Sequence, residues 1–222
     1  MTAHEWNTCT NARKMLELLR DNASDRKLRL FTTACYRHDM WNRYFEHMVA
    51  GSAILRVYYW LLKKAIVSRF ERILEMNEKC ADGMVSPTEL AQVVVGELGF
   101  AMSYPVQILR NAVCVWYPVT VDATDHVLNY AADGSETFPA HLLRCIFGNP
   151  MCPATIRSAW LTANVNHIAQ GIYEQRRFAD MPVLADALED AGCDDARILE
   201  HCRSGEEHVR GCWVVDRILD KE

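Results

Sequence analysis

The stretch that decides the fold runs from Gly148 to Leu219, where GNP at 148–150 precedes AWLTANV at 159–165, MPVLADALEDAGC at 181–193 and HVRGCWVVDRIL at 208–219. Apolar residues recur there at intervals of three and four between turn residues, the pattern of short helices packed on one another. Over Ala163–Arg176 one face carries Val165, Ile168, Ala169, Ile172 and Tyr173. Pro182 opens a helix packed through Val183, Leu184, Ala187, Leu188 and Ala191 and closed by Gly192. Asp194 is placed to cap the next helix, whose Ile198, Leu199 and Cys202 turn inward, and Gly205 leads into a last helix over Glu206–Leu219. Helices of about two to four turns are marginal alone, so mutual packing must hold them, with Trp160 and Trp213 as anchors.

Working outward, His141–Phe147 reads as a short helix stopped by Gly148-Asn149-Pro150, and Met151–Ser158 as irregular. Near the N-terminus, Thr10 or Asn11 caps a helix carrying Met15, Leu18 and Leu19. Ser24 or Asp25 caps the next, which turns Leu28, Phe31 and Cys35 inward and leaves Arg26, Lys27 and Arg29 on an open side. The aromatic cluster Tyr58–Trp60 sits in a helical pattern continued by Leu61, Leu62, Ala65, Phe70, Ile73 and Leu74. Ser86-Pro87-Thr88-Glu89 reads as a cap with proline at the first helical position; Leu90–Leu98 follows as helix, although Val93–Val95 also suits a strand. Helices are favoured through 99–138, where Ile108–Trp116 could be helix or strand and Val119–Val121 is β-prone. The expected fold is an all-α multi-helix bundle with a C-terminal array of short packed helices. A boundary in the turn Asp133-Gly134-Ser135 to Pro139 would separate an N-terminal region, 1–138, from a C-terminal subdomain, 139–222, within what could be one continuous domain.

With 50% hydrophobic and 24% charged residues the chain can bury a core, which excludes disorder as its organising principle. Lys and Arg outnumber Asp and Glu by 14 to 9 over residues 1–79, whereas over 174–222 they are outnumbered 7 to 13. A basic first third and an acidic last quarter suit either an internal match or two partner surfaces. Nine cysteines, odd in number and irregularly spaced, do not form a secreted disulfide framework. The opening MTAHEWNTCTNARKML lacks the layout of a signal peptide, and Ile54–Ile66 is too short and too charged to span a bilayer. A cytoplasmic protein without a membrane partner is expected.

ADGMVSPTELA at 81–91, IFGNP at 146–150, LADALEDAGC at 184–193 and HVRGCWVVD at 208–216 resemble a family of cytoplasmic helical proteins abundant in planctomycete bacteria. The resemblance implies a bacterial, cytoplasmic protein and brings no activity with it. Family members often carry a paired cysteine followed by two arginines where this chain has Cys35-Tyr36-Arg37-His38, and an FRP-like sequence where it has Met151-Cys152-Pro153. The stretch Tyr44–Trp60 matches the family poorly.

The candidate metal set is Cys193, His201, Cys202, His208 and Cys212, thiols and imidazoles of the kind zinc and iron accept. His208 and Cys212, four apart, would share a helical face, but no CxxC pair is present, and a cysteine on an apolar face is commonly a small core residue. His38, Asp39 and His47, near Cys35, and His4 with Cys9 are weaker clusters, and no haem-attachment motif accompanies them. As a nucleophile set, Cys202 or Cys212 with His208 and Asp216 is unfavourable, since helical spacing would hold the aspartate more than about 10 Å from the histidine. Glu89 and Glu97 are the nearest carboxylate pair on a helix. No dinucleotide, phosphate-loop, HExxH or calcium-loop signature occurs. Arg26, Lys27, Arg29, Arg37 and Arg43 form a basic patch that could meet nucleic-acid phosphates, while Glu189, Asp190, Asp195 and Glu200 form an acidic outer face. The first reading is therefore a protein-interaction or scaffold module, with a protein partner or self-association. A zinc- or iron-binding protein and a nucleic-acid binder are the alternatives.

Overall fold

Every regular element of the computed structural model, which describes residues 1–20, 22–35, 37, 68–69, 71–102 and 140–221, is helical. The bundle is all-α, and no described helix is long and apolar enough to cross a membrane. In chain order the helices are α1 Ala3–Thr8, α2 Ala12–Leu19, α3 Asp25–Cys35, α4 over residues 71–81, α5 Pro87–Met102, α6 Ala140–Phe147, α7 Ala163–Gln175, α8 Met181–Asp190, α9 Ala196–Arg203 and α10 Trp213–Ile218. Single 3₁₀ turns occupy Ser158–Trp160 and Phe178–Asp180. Two units are distinguishable, one made of Met1–Lys27 with Phe138–Glu222 and the other of Leu28–Thr137. The first two helices thus belong with the C-terminal array. Readings placed on His38, Asp39, Arg43, His47, Tyr44–Ala65, Phe70, Ile108–Trp116, Val119–Val121 and Asp133–Ser135 lie outside the described residues.

In the first unit four helix starts, those of α1, α2, α7 and α9, answer an orphan N–H group through a capping side chain. Thr2 and Glu5 form a reciprocal capping box, Asn11 Oδ1 accepts from Lys14 N–H at 3.1 Å, and Thr162 Oγ1 accepts from Val165 N–H at 3.3 Å. Asp195, one residue beyond the expected Asp194, caps α9 by accepting from Arg197 N–H at 3.0 Å. The Gly192 turn explains the shift: with φ of +86° it carries the Cys193 N–H back to Leu188 C=O, so the chain needs two more residues before it can coil again. The C-terminal core joins Val165, Ala169 and Ile172 of α7, Leu184 and Leu188 of α8, Ile198 of α9 and Val214 and Ile218 of α10. Each such side chain, fully buried, contributes about 1.5–3 kcal/mol. Trp160 and Trp213 are buried in this core as anchors, whereas Val183, expected inside, is 53% exposed, and in α2 Leu16 is more deeply buried than Leu18.

The last helix departs most from expectation. It begins at Trp213 and not at Glu206, because Gly211, with φ of +94°, interrupts any helix entering from 206. Residues 204–212 form a turn-rich loop between α9 and α10. Gly148 is under a second constraint: its φ is +65°, and a Cβ there would stand 3.2–3.4 Å from the Trp213 indole. Its carbonyl also accepts from Trp6 Nε1–H at 2.7 Å. Gly148→Ala should cost about 1–3 kcal/mol for backbone conformation plus a share for displacing the indole. Gly192→Ala, also at positive φ but with open space around the new methyl, should cost less; urea denaturation of the two variants checks the ordering.

In the second unit α3 buries every residue from Leu28 to Cys35. Its hydroxyls are answered within the helix, Thr32 donating to Leu28 C=O at 2.8 Å and Thr33 to Arg29 C=O at 2.9 Å, and Asn77 Nδ2 of α4 donates to Thr33 Oγ1 at 2.9 Å. The run Val93–Val95 is helical, because Leu90 and Val94 pack with Ile73 on one face and leave Val95 outside. The expected open basic side is not there. Arg26 pairs with Asp216, Arg29 is 6% exposed, and Arg37 is held by Glu71 and Glu78; Lys27 is half-buried. The Arg26 and Arg37 guanidiniums answer the protein's own carboxylates, which sequence spacing could not reveal.

Candidate metal centre

Cys145 lies on the apolar face of α6, beside Leu142, Leu143 and Ile146, all buried. His201 sits in the last turn of α9, whose end is held where Arg203 bonds Asp186 at 2.7 Å and Glu189 at 2.6 Å, and Ser204 Oγ donates to His201 C=O at 2.9 Å. The loop then supplies His208, and Cys212 follows Gly211 as the N-cap of α10. Cys212 makes no side-chain cap bond, so its sulfur is turned to other use.

These four residues form a single cluster. One ligand atom from each of Cys145, His201, His208 and Cys212 lies within 4.8 Å of all the others, and three of the four residues are buried. His201 Nε2 stands 3.2 Å from Cys212 Sγ; His208 Nδ1 stands 3.8 Å from Cys145 Sγ and 4.0 Å from Cys212 Sγ. Zinc bonds of about 2.3 Å to sulfur and about 2.0–2.1 Å to nitrogen place tetrahedral ligands about 3.3–3.8 Å apart. These three separations bracket that range, so a cluster able to coordinate a metal ion is already formed. The imidazole rings meet edge to face at 4.8 Å between centroids, and His201 leans against Trp213 at 5.3 Å. His208 Nε2 is buried with no hydrogen-bond partner among the described residues.

The two thiols are in hydrogen-bonding contact and are shifted in opposite directions. Contact with Cys212, and then burial, holds the Cys145 thiol well above the ordinary range. Burial pushes Cys212 up as well, but the hydrogen bond from Cys145 and the charge and hydrogen bond of His201 outweigh it and hold Cys212 well below. Cys212 is thus the more acidic of the two thiols, and the thiolate is the form of cysteine that binds metal.

Of the five expected ligands, the structure brings together His201, His208 and Cys212. It does not bring in Cys193 or Cys202, both of which are buried in the C-terminal core. Cys202 follows His201 on α9 and so points about 100° around the helix, toward apolar neighbours instead of the cluster. Burial pushes both thiols up, as suits inert core residues. Cys145 was missed because an isolated cysteine on an apolar helix face reads as core, and only folding places it against a distant loop. His208 and Cys212 meet through the 208–212 turn and not through a helical face.

The other candidates have occupations of their own. Asp216 accepts both Arg26 Nη1 at 2.6 Å and Nη2 at 3.2 Å, which takes it out of any triad with His208. Glu89 caps Ser86, and Glu97 bonds Arg69 at 2.6 Å with Arg72 at 3.6 Å. Glu189 is held by Arg203 and Asp195 by Arg197, while Asp190 stays exposed. Cys9 Sγ turns to Asn11 C=O at 3.4 Å, and His4 is exposed. Alongside the cluster runs a cleft of about 450 Å³, walled by Arg144, Arg197, Arg217, Cys152, Trp213 and His201. Set against protein-family models, curated proteins and solved structures, the chain matches none of them.

Proposed function

We propose that this is a metal-binding protein whose first unit carries one zinc ion, held by Cys145, His201, His208 and Cys212, as a structural centre. The mutual approach of four ligand atoms within 4.8 Å, drawn from α6, α9 and the 204–212 loop, carries the reading. Four protein ligands complete a tetrahedral shell and leave no position for substrate, the arrangement of structural and not catalytic zinc. A two-iron cluster of the Rieske kind would divide its histidines and cysteines between two metals, and so does not suit a set in which every ligand lies close to every other. A single iron is the second choice, since the same donors accept it. The ion would join three elements that share few regular hydrogen bonds, and it leaves the outer surface for partners. The metal reading therefore stands ahead of the interaction-module reading without excluding it.

Protein purified without chelators should contain one zinc per chain by native mass spectrometry and elemental analysis. Cys145→Ser and His208→Ala should each fall well below stoichiometric loading, whereas Cys202→Ala should keep the ion. No stoichiometric zinc or iron in the parent protein, or full loading in the Cys145→Ser and His208→Ala variants, would sink the proposal.

A further inference from the structure

Cys145 and Cys212 are brought together from distant parts of the chain, in hydrogen-bonding contact and within 4.8 Å sulfur to sulfur. A bond of about 2.05 Å between them requires the two sulfurs to close that gap. Cys212 is suited to that movement. As the N-cap of α10 it makes no cap bond that turning would break, and the positive-φ Gly211 precedes it. Cys145 and Cys212 are buried, and the side from which solvent comes nearest is the cleft with His201 on its wall, His201 Nε2 standing 3.2 Å from Cys212 Sγ. A water-sized oxidant that enters past His201 would meet Cys212 Sγ first.

We infer that the centre is a peroxide-responsive device, in which oxidation joins Cys145 to Cys212 and expels the metal ion. This rests on the metal reading above. The Cys212 thiolate attacks one oxygen of hydrogen peroxide, breaking the O–O bond; the sulfur becomes a sulfenic acid, and the departing oxygen leaves as water after taking up a proton. The Cys145 thiolate then attacks that sulfur, the disulfide forms, and hydroxide leaves as water with a second proton. Two thiolates lose two electrons, peroxide gains them, two protons are consumed, and zinc leaves as Zn²⁺ because two imidazoles alone hold it weakly. The disulfide preserves the link from α6 to the start of α10. It does not preserve the hold on His201 and His208, so residues 204–211 lose their tether and the wall of the cleft changes with them.

The experiment titrates the zinc-loaded full chain with hydrogen peroxide, following released zinc with a chromophoric chelator and disulfides by mass spectrometry without reduction. One zinc per chain should leave in step with the loss of two thiols, and thiol reductant plus zinc should restore loading. Cys152, exposed and 3.1 Å from Arg197 Nη1, is the rival target, and trypsin leaves it on one peptide with Cys145. The titration is therefore repeated on Cys152→Ser, where release should proceed within about twofold of the parent rate and the bond should map to Cys145 and Cys212. Zinc retained while only Cys152 oxidises, or release with the bond elsewhere, overturns the inference. A protein purified without metal would instead count against the metal reading, and peroxide treatment of that form still reads the pairing directly: failure to form the Cys145–Cys212 bond there also overturns the inference.

Discussion

Replacing Arg26 by methionine should lower the unfolding free energy by about 3–5 kcal/mol, the cost of leaving a buried carboxylate without its partner. Asp216 is fully buried, and its carboxylate receives both arms of the Arg26 guanidinium while Arg26 Nη2 also donates to Tyr173 Oη at 3.1 Å. Burial raises the Asp216 carboxyl despite that partner, and removing the arginine should raise it further. A carboxyl whose folded pKa exceeds its unfolded value binds a proton in the folded state first, so stability falls as pH rises through that window. The deficit of Arg26→Met should therefore be larger at pH 8 than at pH 5. Arg26→Met combined with Asp216→Leu should recover most of the loss, since the pair's net worth is small even though either half alone is costly. Urea denaturation at the two pH values is the check; a single-variant loss below about 1 kcal/mol, or one independent of pH, would mean that Asp216 finds another partner or reaches water.

Stripping the ion should have the next largest effect. With free zinc about a thousandfold above its dissociation constant, binding adds about 4 kcal/mol to the folded state, and a chelator removes it. Loss should be local first. The α7 and α8 part of the core is apolar and supplies none of the four proposed ligands, whereas the 204–212 loop has little regular hydrogen bonding, so its amides should exchange fast in the metal-free protein while those of α7 and α8 stay protected. Metal binding expels protons from thiol and imidazole, so the gap in melting temperature between loaded and stripped protein should shrink from pH 8 to pH 5. Equal melting temperatures at pH 8, with or without chelator, would show that no ion contributes to the fold.

The all-helical class, the extents of α6, α7, α8 and α9 to within a residue or two, and the core face of α7 all follow from local rules: apolar spacing, capping residues and glycine at helix ends. The same rules placed the cap of α9 at Asp194, one residue early, and extended the last helix back to Glu206, because a helical pattern shows which side would be buried but not that Gly192 and Gly211 adopt left-handed conformations. Three of the metal-cluster residues could be named from the chain because they fall within a short span of it. Cys145 could not, since its approach to His208 depends on how α6 packs against the loop after α9, a contact between segments far apart in sequence. The fates of Arg26 and Arg37 have the same cause: local sequence identified the charges, and the fold chose their partners. What the sequence determined by itself was the kind of element and its apolar face, which depend on neighbours within a turn or two. What only the tertiary structure decided was which thiols and imidazoles converge, because convergence is set by packing across the whole unit.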